Sequence, residues 1–185
     1  TGGLGDVEVF DDWLPTLGGE PEIPARSADD DEVAVVLYTS GTTSAPKSAL
    51  LRHRHLMAYL LGSVEFGSAA DDEAVLVAVP PYHVAGLMNM LSNIFAGRRL
   101  VYLRAFGPAT WVEIVRSEAV TNAMVVPTML ARIVEHLDGE PAGTPALASL
   151  AYGGARMPQP VLEKALVAFP DTGFVNAYGL TETSS

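Results

Sequence analysis

The 185-residue chain contains no cysteine. That excludes a disulfide framework and a thiol nucleophile, and it suits the cytoplasm. Positive charge is also scarce: 11 Lys and Arg stand against 22 Asp and Glu, a formal net charge of −11. A nucleic-acid surface would be basic, so that class of partner is excluded. No apolar run approaches the ~20 residues of a membrane-spanning helix. No secretory leader is visible, and no internal repeat of fixed period. What is present is a globular composition, 49% hydrophobic and 18% charged, long enough for one domain with its own core. The acids gather towards the N-terminus, as in DDDE at 29–32, and read as a solvated linker. The chain opens on TGGLGDVEVF and stops at LTETSS. Both ends look cut, so a piece of a longer protein is expected.

Residues 1–32, rich in Gly, Pro and Asp with scattered apolar side chains such as Phe10 and Trp13, form a lead-in segment. From Val33 to the end, 33–185, a rhythm sets in. Short apolar runs at 33–38, 74–79, 99–103, 122–126, 149–152 and 173–177 are candidate strands. Amphipathic stretches near 53–65, 84–96, 109–118, 128–137 and 158–168 are candidate helices. Continuous rather than alternating apolar strands imply burial on both faces. Strands separated by helices imply βαβ crossovers. The expected fold class is therefore α/β, a mainly parallel β-sheet flanked by helices on both faces. Ligands in such sheets gather beyond the carboxyl ends of strands, which directs attention to the segment after each strand.

The first such segment is YTSGTTSAPK, 38–47. Thr39, Ser40, Thr42, Thr43 and Ser44 supply hydroxyls, Gly41 permits a tight turn, and Lys47 adds a full positive charge. A polyphosphate is the natural guest. A P-loop would need a second glycine where Pro46 stands, and proline offers no N–H to a phosphate. A P-loop also runs straight into a helix, whereas ALL and RHRH intervene here. A Ser/Thr-rich turn without function is the plainer alternative.

Three later segments also follow candidate strands. PPYHVAGL, 80–87, brings His83 and Gly86 to a helix start. YGGARMP, 152–158, brings Gly153 and Gly154, which lack Cβ and let a flat ring approach the backbone; a simple left-handed turn before Pro158 accounts for the same glycines. NAYGLTET, 176–183, offers the aromatic face of Tyr178 to a purine, a turn at Gly179, the Thr181 hydroxyl to phosphate, and Glu182 as a hard oxygen ligand for Mg²⁺. Each has a structural explanation when taken singly. His53 and His55 make an H-x-H pair without a third ligand nearby, so they read as opening a helix rather than holding zinc. His136 reads as a helix-surface residue and Trp111 as a core-facing one.

With these residues in view, YTSGTTSAPKSAL resembles the phosphate-binding signature of adenylate-forming enzymes: acyl- and aryl-CoA ligases, luciferase-like enzymes and peptide-synthetase adenylation domains. It departs from the family pattern at Ser44 and Ser48, where glycine is usual. The three later segments resemble family motifs in the same order, and VVPTML at 125–130 is similar to a segment lining the acyl pocket. The resemblance implies that Thr39, Ser40, Gly41, Thr42, Thr43 and Lys47 hold ATP phosphates. It places Gly153, Gly154, Ala155, Asn176, Tyr178 and Gly179 around adenine, and Thr181 at the α-phosphate. It assigns Mg²⁺ to Glu182, and has His83 gate an acyl pocket in which Gly86 leaves room for the acyl group. The implied reaction joins ATP and a carboxylic acid into an acyl-adenylate with release of pyrophosphate, then passes the acyl group to coenzyme A as co-substrate.

An apolar acid, fatty or aryl, is favoured by His83 and the apolar GLMNML after it. A peptide-synthetase adenylation domain and a non-catalytic nucleotide-binding module remain as alternatives. Nothing in the chain resembles the family's ribose-binding aspartate or the lysine of its small C-terminal domain. The fragment is therefore expected to be inactive alone, and to self-associate through surfaces that neighbouring segments would cover.

Overall fold

A computed structural model describes residues 29–39 and 47–181. Strand β1 (Val33–Thr39) is followed by β2 (Lys47–Arg52), and helix α1 (His53–Ser63) comes directly after β2. The remainder alternates strictly: β3 (Ala74–Val77), α2 (Val84–Ala96), β4 (Arg99–Tyr102), α3 (Pro108–Ser117), β5 (Asn122–Val125), α4 (Pro127–Leu137), β6 (Ser149–Gly153), α5 (Gln159–Ala168) and β7 (Gly173–Ala177). Helix starts follow the sequence: Pro108 and Pro127 open α3 and α4, where a fixed φ and a missing donor cost nothing. Gly97, at φ +86°, closes α2 in the left-handed region that glycine enters freely.

Strands β3 to β7 form one five-stranded sheet in the order β4-β3-β5-β6-β7, every pair parallel. From β3 the chain steps one way along the sheet to β4. From β4 through β5 and β6 to β7 it steps the other way. Right-handed crossovers then place α2 on the face opposite α3, α4 and α5. The second face carries the main core, in which Trp111, Leu130, Ile133 and Ala165 pack against Leu76 and Leu150. Trp111 is fully buried and meets Phe169 edge-on with ring centroids 6.1 Å apart. Interior strand β3 is buried at all four positions, as a parallel strand covered on both sides should be. Edge strand β7 is not: Val175 is 51% exposed.

The expected α/β class and parallel sheet are present, with two corrections. The 33–38 strand was expected in the parallel sheet, but β1 instead pairs antiparallel with β2, in register from Val35 opposite Leu51 to Thr39 opposite Lys47, with a bulge before Val33 meets Arg52. Second, ALL does not merely intervene before the helix: it is the centre of β2. The hairpin is half-buried because only one of its faces has an apolar partner. Leu37 and Leu51 pack on Leu56 of α1 and on Leu87 and Met88 of α2. His53 and His55 open α1 as expected, and His55 Nδ1 accepts a hydrogen bond from the Arg52 N–H at 3.2 Å.

Candidate functional site

Strand β3 is followed by a helix on one face and its neighbour β5 by a helix on the other. Such a reversal leaves a crevice beyond the carboxyl ends of the strands. Here a cleft of about 840 Å³ starts at that edge and runs along the α2 side of the sheet. Five residues expected at the site line it together: His83, Gly154, Tyr178, Gly179 and Thr181. They come from the segments after β3, β6 and β7, three stretches far apart in sequence.

Each is positioned by local structure. Pro80 accepts a hydrogen bond from the His83 N–H at 3.1 Å, closing a turn that sets His83 as the N-cap of α2. The imidazole is exposed and lies 4.7 Å from the Tyr82 ring, centroid to centroid. No side-chain hydrogen bond caps the start of α2, which leaves first-turn N–H groups without an intrahelical partner. Gly154 adopts φ +81°, a left-handed turn that a side chain would strain. Tyr178 is 87% exposed, its ring free to take a flat partner.

Other expected site residues stand elsewhere. Gly153 is buried in β6, and a Cβ there would fall on the Ala177 carbonyl oxygen of β7. Its missing side chain thus brings two strands together. Ala155 is exposed beside Gly154. Asn176 pairs with Tyr152 across β6 and β7. It alternates with Val175 and Ala177, which line the cleft, and so belongs to the opposite face. Lys47 is exposed at the start of β2 opposite Thr39 and does not line the cleft. Ser40, Gly41, Thr42, Thr43, Ser44 and Glu182 lie outside the described residues.

One expectation is corrected. Gly86 was to leave room for an acyl group, but a Cβ there would meet the Pro80 carbonyl oxygen and lie 2.6 Å from that of Val79. The chain's own backbone fills the space, and Gly86 lets α2 dock against the end of β3.

Sequence reasoning missed the far end of the cleft. Along α2 the lining residues come in pairs four apart: Val84 and Ala85, Met88 and Asn89, Ser92 and Asn93. That i, i+4 stripe was the available signal. Asn93, buried, donates from Nδ2 to the Asn89 backbone oxygen at 2.6 Å and to Asn89 Oδ1 at 3.0 Å. Arg98 donates to Asn93 Oδ1 at 3.1 Å and pairs with Glu73. The Arg98 guanidinium, and after it the Ala70 N–H, hold the Glu73 carboxyl below its ordinary pKa; Asn122 adds a smaller pull, and burial opposes all three. Among the described residues, no three His, Asp or Glu side chains are grouped to hold a metal.

An open α/β sheet with a crevice at its carboxyl edge, bordered by an exposed tyrosine, a bare glycine turn and a threonine hydroxyl, defines a small-ligand domain suited to a purine nucleotide. The AMP-binding enzyme family matches residues 5–185, and the chain belongs to that family. It is 33% identical over 183 residues to a feruloyl-CoA synthase of Amycolatopsis, covering 97% of this chain and 35% of that protein. It is equally 33% identical to a fatty acid–[acyl-carrier-protein] ligase of Streptomyces coeruleorubidus, covering 96% and 35%. The o-succinylbenzoate coenzyme A synthetase of Bacillus subtilis, solved in complex with ATP and magnesium ion, superposes with a TM-score of 0.69 at 27% identity. That match covers 85% of this chain and 32% of the synthetase. The chain thus spans about a third of the length of the curated relatives it matches.

Proposed function

We propose that the chain forms the nucleotide-binding part, 33–185, of an AMP-forming acid–thiol ligase. The observation that carries this reading is the convergence of His83, Gly154, Tyr178 and Thr181 on one cleft at the switch point of a family-matched sheet. In the proposed reaction a carboxylate oxygen attacks the α-phosphorus of ATP. The bond from that phosphorus to the bridging oxygen breaks, and pyrophosphate leaves with the electron pair. Two anions must meet, so catalysis rests on donors and positive charge around the phosphorus.

Each residue has a part. Tyr178 stacks on adenine, with Gly154, Ala155 and Gly179 shaping the surrounding turns. Thr181 donates to an α-phosphate oxygen. The 39–43 hydroxyls and amides with Lys47 hold the outer phosphates and then pyrophosphate. His83, beside the uncapped start of α2, flanks the incoming carboxylate. Glu182, adjacent to Thr181, is the oxygen ligand suited to Mg²⁺, which when bound neutralises phosphate charge. The acid is fatty or aryl, the thiol acceptor is coenzyme A, and the setting is cytoplasmic. The feruloyl-CoA synthase and the synthetase solved with ATP support this reading. The carrier-protein ligase supports a second acceptor, a carrier-protein thiol.

The test is acid-dependent pyrophosphate release by the complete gene product. Lys47→Ala is expected to abolish most of it with little change in melting temperature, because Lys47 is exposed. Release that needs no acid, or turnover unchanged by Lys47→Ala, would remove the assignment.

A further inference from the structure

Charge is unevenly divided between the two edges of the five-stranded sheet. The segments that lead into the strands, at the amino edge, hold exposed acids: Asp71 and Asp72 before β3, Glu118 before β5, Asp138 and Glu140 before β6, and Asp171 before β7. The segments that leave the strands, at the carboxyl edge, are 78–83, 103–107, 126, 154–158 and 178–181. Among the described residues they hold no acid, but they do hold exposed His83, Arg104 and Arg156. Helices α2, α3, α4 and α5 start at this edge, and none has an acid in its first turn, where acids are ordinarily favoured. Arg132 adds to the same side. It is the sixth residue of α4, where side chains lean back towards the helix start. Its guanidinium lies 5.1 Å from the centre of the Phe106 ring, in the segment after β4. Neither Arg132 nor Arg156 pairs with a carboxylate among the described residues, and neither lines the cleft.

We propose that the carboxyl edge is an electropositive landing face, and that Arg132 and Arg156 draw the anionic nucleotide towards the cleft from outside it. The chain carries a formal net charge of −11, so at long range it repels a magnesium nucleotide, which is itself negative. Close to the carboxyl edge the local sign reverses, and an approaching polyanion is turned towards the edge where the cleft opens. Strand β4, which leads to Phe106, and strand β6, which leads to Arg156, are three strand spacings apart, about 14 Å. The two arginines therefore flank the strand ends at which the cleft begins. Charges placed at a rim act on the rate of encounter more than on the bound state. Their contribution belongs to nucleotide association.

This inference rests on the ligase reading, and one experiment separates their failures. Stopped-flow fluorescence follows a fluorescent ATP analogue with Mg²⁺ onto and off the complete gene product. The wild type is compared with an Arg132→Gln, Arg156→Gln double variant at about 0.01 M and about 0.5 M salt, where the screening length is roughly 30 Å and roughly 4 Å. Two unit charges roughly 15 Å from a doubly negative magnesium nucleotide change its arrival rate about threefold at the lower salt. The double variant should therefore associate about threefold more slowly at low salt and at the wild-type rate at high salt, with dissociation unchanged. Replacing both arginines by glutamate should widen the low-salt ratio to about tenfold. Replacing both by lysine, which keeps the charge, should restore the wild-type rate. Equal association rates at low salt, a deficit that persists at high salt, a change confined to dissociation, or lysine variants as slow as the glutamine ones would overturn the proposal while leaving the ligase reading standing. No binding of the analogue, and none of unlabelled ATP by calorimetry, would overturn both.

Discussion

Glu73 shows how one side chain ties the cleft's far end to stability. Its carboxylate is paired with Arg98 and hydrogen-bonded by the Ala70 N–H, so its folded pKa lies below the unfolded value of about 4.3. A depressed carboxylate contributes stability that is present above the unfolded pKa and is lost as pH falls through the folded one. Glu73→Gln should therefore melt below the wild type at pH 7, and the gap should close as pH drops below about 4. Thermal melts of both proteins across that range check it; a gap constant with pH would mean the pair contributes nothing. At this scale the sequence was only partly legible. Tyr178 and Thr181 announced themselves by residue type beside a strand end. Asn89 and Arg98 did not, because an asparagine inside an apolar helix shows no purpose until the facing wall is known.

Elements carry the second level. Helix α2 serves two surfaces. Met88 belongs both to the cleft wall and to the cluster that seats β1 and β2, so that strand pair and the proposed acid site share a helix. The helix is anchored at Gly86, where backbone carbonyls of Val79 and Pro80 fill the place of a side chain. Gly86→Ala should force that start away from β3 and cost about 1–3 kcal/mol, the usual range for overpacking. Urea unfolding measures it, and an unchanged midpoint would show that the contact yields freely. Every long element was legible because its apolar period was clean. Strand β2 was missed because KSALLR places only Leu51 in the core and ends directly in a helix. Its strand state comes from pairing with β1, a long-range fact that local composition does not carry.

At the scale of the molecule, the parallel sheet followed from alternating strands and helices, but the strand order did not. Which neighbour β3 takes depends on how helices pack on two faces, and β1 left the sheet altogether. The same packing leaves the cleft face of β7 thinly covered, with Val175 and Leu180 each about half exposed. The outer edges of β4 and β7 have no strand partner among the described residues. Open edges and apolar surface invite pairing. This 185-residue chain should therefore self-associate despite its net charge of −11. Light scattering that gave a clean monomer would count against it.

One nucleotide spanning two distant parts of the chain is the proposition on which the functional reading stands. A crystal structure of the complete gene product with ATP and Mg²⁺ measures it directly. The expected result is adenine against Tyr178, the α-phosphate within hydrogen-bond reach of Thr181, and the outer phosphates against Lys47. A nucleotide bound away from this cleft, or Lys47 and Thr181 on separate sides with no phosphate between them, would contradict it.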